Sequence, residues 1–589
     1  MRPPVGPVRA ALVVLLAAVA VVASGCVAIP TDSSPQPLKT FERRPDTKPL
    51  PKPNATMDPE ALVYAFLKAT ADPTAAHTSA RAFLTPENAA RWDDRGDSAV
   101  VSNVNVLLDS RTDTTATVRV VGDNTASLKV NGQLLPATGR VESTIKLARS
   151  NVGWRIDGPL PPGVLIDRTQ FEATYRLVTL YFTDQSQSRL IGDPRWFYIG
   201  QTGPGSVVAR LLAGPSLDLA RSTASAIPTG TQLGTVAVRE GGGVRIDLRR
   251  AGSPAPEVRS LIAAQLVWTL NSVDAPAPYA ITLDGEPLLP DRPDGIAVAD
   301  VQRHSPTASS SSVDALDVIS NGRYHNVVDG RLVPIAGNLN DGDQVRSASV
   351  SSDRTRIAAV RGPRPTAGAP AQPAPPGGAR PQLVTGLYGG AVQPLATGAS
   401  ITRPSFGAGN DVWAVLDGRP TRWSMGEGGL HTSVVDTAAL AAVAQGPISD
   451  LQVSPDGVRV ALIVGGQVLF AVIVDRDDGQ VELAYPRFAA YNIGNRAVAL
   501  DWASPTTLVI ARDVTETPVT QVPVSGLSAA GLVSGNLAPP VHAVAANLSS
   551  TYVGDSRGVL TLSTSTSTRD QTWVDVSAAR GADMIPVLP

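Results

Sequence analysis

Cysteine is almost missing from this chain, with one in 589 residues. An internal disulfide is therefore excluded, and the folded parts must be held by core packing alone. Aromatic residues are scarce at 5%, and histidine occurs five times. His77, His304, His325, His431 and His542 lie far apart, and no two share metal-ligand spacing. Neither sign of charge dominates: 50 Lys and Arg face 52 Asp and Glu, a formal net of −2. That balance points away from nucleic acid and from a broad acidic or basic partner surface. After residue 30 no apolar run approaches the ~20 residues a membrane-spanning helix needs. The sequence also lacks His-Glu-x-x-His and a Gly-Lys-Ser/Thr phosphate loop.

What is present suits folded domains, at 43% hydrophobic and 17% charged, and the length suggests three or four of them. The lone Cys26 stands in Ala23-Ser24-Gly25-Cys26, directly after the uncharged stretch Ala10 to Ala23 and the basic residues Arg2 and Arg9. This is the layout of a secretory signal with a cleavage site. It resembles the bacterial lipobox, with Ala23 in place of the usual Leu. The resemblance implies that residues 1–25 are removed and that Cys26 carries an S-diacylglycerol and an N-palmitoyl group. Two or more acyl chains anchor stably. An uncleaved membrane helix reaching Ile29 is the alternative. Both readings put the body outside the membrane.

Residues 26–56 hold seven prolines, from Pro30 to Pro53. They read as an extended tether. Residues 57–166 read as α+β. Asp58-Pro59-Glu60 opens a helix whose apolar face carries Ala61, Leu62, Tyr64, Ala65, Phe66 and Leu67. Two short helices are expected near Ala80 to Leu84 and Pro86 to Trp92. The period then changes to two, and strands are expected at Val100–Leu108, Thr115–Val121, Ser127–Val130, Val141–Leu147 and Gly153–Ile156. Asn131-Gly132 marks a hairpin turn. Helices followed by a curled sheet suggest a cystatin-like or NTF2-like unit.

Residues 171–296 read as a second α+β unit. Strands are expected at Arg176–Phe182, Leu233–Arg239, Val244–Leu248 and Tyr279–Leu283, with helices at Val207–Ala213 and Glu257–Asn271. Gly214-Pro215 stops the first helix, and Asp284-Gly285 is a hairpin turn. The segments Leu211-Leu-Ala-Gly-Pro215, Ser225-Ala-Ile-Pro228, Val244-Arg-Ile-Asp-Leu248, Ala264-Gln-Leu-Val-Trp-Thr-Leu270 and Ile281-Thr-Leu-Asp-Gly-Glu-Pro287 are similar, in order, to the GerMN domain. No catalytic residue set comes with that domain.

Ser305 to Ser312 reads as a linker, and residues 313–589 as all-β. Ile448 to Ile463 is the clearest unit: a strand, the turn Ser454-Pro455-Asp456-Gly457, then a second strand. The shape recurs around Ser352, Ser405, Ser504 and Ser549. A period of roughly 50 residues in short strands is the mark of a β-propeller. Five units are visible. A sixth is expected at Val313 to Ile335, with Gly558 to Val576 helping to close the ring. Pro363 to Pro381 reads as a low-complexity surface loop.

No constellation of catalytic residues emerges. Asp341 and Asp343 beside Gly342 are better read as a solvated loop than a calcium site. Gly241 to Gly243 read as a turn, and Trp154 and Trp502 as core. No cofactor and no metal are expected, and the reading is of a binding protein, not an enzyme. The order of lipobox, tether, α+β domain, GerMN domain and propeller resembles the LpqB family of actinobacterial lipoproteins over essentially the whole chain. The resemblance implies a protein held by Cys26 at the extracytoplasmic face of the cell membrane. It further implies an accessory role to the MtrAB two-component system, through contact with the extracytoplasmic domain of the sensor kinase MtrB, in cell-wall homeostasis and division. Two alternatives stand beside it: a cell-wall or carbohydrate-binding lipoprotein, and a propeller hydrolase with carboxylates and a histidine such as His431 or His542 at the axis.

Overall fold

A computed structural model describes residues 50–308, 315–363, 380–426, 428–527, 529–563 and 571–589. The signal peptide, Cys26, most of the tether, part of the 305–312 linker and nearly all of the Pro363–Pro381 loop lie outside the described residues. Leu50 to Pro589 form one compact unit. Among the described residues no helix is long and apolar enough to cross a membrane.

The first helix, Pro59–Ala69, starts at Asp58 with proline in its first turn. Leu62, Val63, Phe66 and Leu67 are buried. Tyr64, expected on the apolar face, points outward at 44% exposure, with Lys68 over its ring. The Asp58 carboxylate makes no cap bond and instead pairs with Arg111 at 3.0 Å. The expected second helix shrinks to the single turn Thr78–Arg81, and the third runs Pro86–Arg91, capped by Thr85. These helices pack on a six-stranded sheet ordered 153–156, 140–150, 115–128, 98–111, 164–167, with 134–136 beside 115–128. Two expected strands, Thr115–Val121 and Ser127–Val130, are one continuous strand, Thr115–Leu128. Val164–Asp167, not expected as a strand, pairs parallel with residues 98–101.

In the next unit the helix Pro256–Asn271 is buried on most sides, so its sequence reads as apolar nearly all round. It joins Val244–Arg249 to Tyr279–Leu283, which pair parallel in a four-stranded sheet. Gln265, fully buried, is satisfied by accepting from the Ala226 N–H at 3.0 Å and donating to Ser225 Oγ at 3.2 Å. A three-stranded sheet, ordered 190–198, 175–184, 223–224, completes this core. Its strand Leu190–Tyr198 is absent from the sequence reading. Its Gly192-Asp193-Pro194-Arg195 breaks the apolar pattern, because Asp193 and Arg195 form a buried ion pair at 2.6 Å.

Among the described residues the remainder is a ring of six four-stranded blades. The inner strands of blades two to six are Val345–Val350, Ser405–Phe406, Ile448–Val453, Ala497–Ser504 and Ala543–Ala546. The first blade takes its inner strand from the far end of the chain: Ile585–Val587 pairs with 317–319. Closure is therefore made by residues 585–587. Residues 558–562 and 573–580, expected to close the ring, are the two outer strands of blade six. The serine turns at Ser352, Ser454, Ser504 and Ser549 link an inner strand to its neighbour, whereas Ser405 lies in an inner strand and accepts from the Val453 N–H of the next blade at 2.9 Å. Ser454 Oγ takes the Arg459 N–H at 3.0 Å and bonds Asp456, and Ser351 does the same with Arg356 at 2.9 Å and Asp353 at 2.6 Å. Ser351, one residue before Ser352, is thus the structural equivalent of Ser454.

The blade-four turn also joins the ring to the preceding unit. Arg459 pairs with Asp456 at 2.7 Å and donates to the Gly192 carbonyl at 2.6 Å, all of it buried. Around it Ile191 and Leu219 pack with Val458, Val472, Val474 and Ala484. Ser222 Oγ donates to the Ile473 carbonyl at 2.6 Å, and Arg221 grips Glu482 with both Nη atoms at 3.1 to 3.2 Å. Nearby, the Trp196 indole N–H donates to the Ser525 carbonyl at 2.9 Å. On its other side the same segment meets the first sheet. The Gly132 carbonyl accepts from the Trp196 N–H at 2.7 Å, and the Asn131 carbonyl from Arg195 at 2.9 Å. Gly132 has φ +88, and a Cβ there would stand 2.8 Å from the Trp196 carbonyl, so only glycine fits.

Candidate functional site

The one functional position singled out by sequence, Cys26, lies outside the described residues. The histidines stay dispersed. His77 bonds Asp94 at 2.9 Å, and His542 faces the Met584 carbonyl at 3.1 Å. His304 ends a short 3-10 helix, and His325 and His431 sit on separate blades. Among the described residues no three His, Cys, Asp or Glu side chains cluster as a metal site. Asp341 and Asp343 are exposed on a loop. Trp154 and Trp502 are core, at 2% and 3% exposure.

The structure does assemble one group of charged side chains that sequence spacing concealed. It lies at the mouth of the propeller axis, where the inner strands end. Arg403 comes from the loop before Ser405–Phe406, Asp450 from the inner strand of blade four, and Asp501 from that of blade five. The guanidinium stands 3.5 Å from Asp450 and 3.7 Å from Asp501, and donates to the Leu500 carbonyl. Burial pushes the Asp501 carboxyl above its ordinary value, against the pull of Arg403. Burial disfavours the Arg403 charge too, but the two carboxylates outweigh it and hold its pKa up. Ser405, Gln452, Trp502 and Asn547 also line the mouth. The cavity measures about 90 Å³. No histidine is among its lining residues, so the acid–histidine convergence that a hydrolase would use is not assembled there. Sequence reasoning missed the site because its members come from three blades. Acidic residues within the inner strands about 50 residues apart, as Asp450 and Asp501 are, were the available signal.

A second buried carboxylate, Asp317 in blade one, accepts from Tyr324 at 2.8 Å, Tyr388 at 2.7 Å, Asn326 at 2.8 Å and Arg354 at 2.8 Å. Tyr388 and Arg354 belong to blade two or its turns, so this network ties the ring-closing blade to its neighbour. Its donors saturate it, which marks it as a fastener.

Comparison with known proteins agrees with the arrangement of parts. A family model for the N-terminal domain of lipoprotein LpqB matches residues 52–172. A model described as sporulation and spore germination, the Germane domain, matches 179–289. A model for the LpqB β-propeller domain matches 322–589. Lipoprotein LpqB of Mycolicibacterium smegmatis is 36% identical, covering 98% of this chain and 99% of the relative. The Nocardia farcinica protein of that name is 35% identical, covering 98% of each. That of Mycobacterium tuberculosis is 34% identical, covering 96% of this chain and 97% of the relative. Among solved structures, the periplasmic gluconolactonase PpgL of Pseudomonas aeruginosa aligns at 12% identity and a TM-score of 0.32, over 45% of this chain and 79% of that one. A likeness that slight carries no activity across. With full-length relatives above 30% identity and three family models matching in order, the chain belongs to the LpqB lipoprotein family.

Proposed function

We propose that this chain is a lipid-anchored binding protein at the extracytoplasmic face of the cell membrane. Cys26 bears the lipid, residues 26–56 are the tether, and 57–166, 171–296 and 313–589 are the three modules. Its role is that of an accessory to the MtrAB two-component system, through contact with the extracytoplasmic domain of the sensor kinase MtrB. One observation supports an adaptor above all. The modules are joined by buried polar contacts and a shared apolar seam, so they present a partner with a single surface of fixed shape. Pre-organisation of that kind removes the ordering cost of binding. The family supplies the choice of partner.

The test is direct binding of residues 50–589 to the purified kinase domain by interferometry. Saturable binding in the micromolar range or tighter is expected, about −8 kcal/mol. Absence of binding, with both proteins folded, overturns the proposal. A second reading, carbohydrate binding, is favoured by a groove between blades five and six lined by Ser504, Thr507, Gln521, Thr551 and Ser563, of about 320 Å³. Retention on peptidoglycan or arabinogalactan in the absence of kinase would favour it.

A further inference from the structure

The charged mouth of the propeller has no part assigned to it in the adaptor role. Arg403 and Asp501 each keep about a fifth of their side chains exposed, at 19% and 21%, while Asp450 behind them keeps 6%. Asp450 is well supplied with donors: the Leu451 N–H at 3.0 Å, Gln452 Nε2 at 2.9 Å and the Leu500 N–H at 3.3 Å. Asp501 takes two backbone donors, Trp502 at 2.9 Å and Ala546 at 3.2 Å. A carboxylate has about four lone-pair sites, so Asp501 retains acceptor capacity. Arg403 has five N–H groups in a rigid fork, and its separations of 3.5 and 3.7 Å fall short of a close two-pronged pair with either acid. An under-used anion and an under-used cation thus share one small cavity. The remaining wall combines small or apolar side chains, including Ala348, Val350, Phe406 and Ala503, with the polar Ser405, Gln452 and Asn547.

We propose that this mouth binds a small zwitterion of the free α-amino acid class. The ligand's carboxylate takes the Arg403 fork, and its ammonium group donates to Asp501. Matching both ends matters because an anion alone would face the like charge of Asp501 and a cation alone that of Arg403. Size selects as well. A water needs about 10–15 Å³ of such space, so a 90 Å³ cavity holds roughly six heavy atoms, the size of alanine. The competing view is that Arg403 merely clamps blades three, four and five together.

Isothermal titration of residues 50–589 with alanine, propionate and ethylamine separates the two. Saturable binding of alanine is expected, with neither single-charge analogue binding at tenfold higher concentration. Arg403→Gln and Asp501→Asn should each weaken alanine binding by about tenfold or more. Because both could also loosen the ring, a third variant leaves the charges alone. Ala503→Leu narrows the cavity and should abolish alanine binding while the melting temperature and kinase binding stay unchanged. No heat with alanine at roughly 10 mM overturns the proposal, as does equal binding of ethylamine, or full binding by Ala503→Leu. Kinase binding is measured separately, so this idea can fail while the adaptor role stands.

Discussion

Arg459→Met tests whether a buried ion pair holds the propeller to the preceding unit. In the wild type Arg459 is 6% exposed and Asp456 2%. The substitution keeps much of the side-chain length but removes both the 2.7 Å pair and the donor to Gly192. Asp456 is then a buried charge with only Ser454 Oγ and the Val458 N–H for company. Breaking one side of a buried pair costs about 3–5 kcal/mol, roughly two to three and a half powers of ten in the folded-to-unfolded ratio. Most of that cost comes from the orphaned carboxylate. The double variant Asp456→Asn with Arg459→Met should therefore recover more than half, leaving about 1 kcal/mol for the unsatisfied Gly192 carbonyl. Urea unfolding followed by tryptophan fluorescence reads both, because Trp196 lies at the same junction and Trp502 in the ring. A loss below about 1 kcal/mol in the single variant would refute the reasoning, as would a double variant no more stable than the single one.

Three further outcomes are expected. Gly132→Ala should cost about 2 kcal/mol or more, since a left-handed conformation alone costs ~1–2 kcal/mol and the new Cβ meets the Trp196 carbonyl. Gly241→Ala, at φ +87 with open space around it, should show only the conformational part, and comparing the two melting temperatures checks this. Asp94 is partly buried, which opposes its charge, but His77 and Arg81 outweigh burial and hold its pKa below 3.8. A depressed carboxyl pKa stabilises the fold above its unfolded value and loses that effect as pH falls through the folded one. The stability gap between wild type and Asp94→Asn should therefore be widest near neutral pH and close in acid, as read by denaturation at several pH values. Cys26→Ala should move the protein from the membrane to the soluble fraction on fractionation, with a melting temperature equal to that of residues 50–589.

Short-range pattern determined much of this protein. The alternation of apolar residues, the Ser-x-Asp turns and the proline and glycine punctuation placed most strands and helices, because side-chain period and turn chemistry are local properties. They also placed the propeller repeat, since each blade solves the same packing problem with similar residues. What pattern could not supply was anything made by residues distant in the chain. Leu190–Tyr198 is a buried strand despite its Asp and Arg, because those two charges neutralise each other, Arg195 donates to the Asn131 and Gly214 carbonyls, and Asp193 accepts from the Ser216 N–H. Ile585–Val587 closes the ring because only a finished circle leaves the first blade without an inner strand. Arg459 reads as an ordinary strand residue until folding brings Gly192 beside it. Arg403 and Asp501 share a cavity only because six blades converge on one axis. Local sequence sets which elements form, and the desolvation of groups far apart in the chain sets how they join.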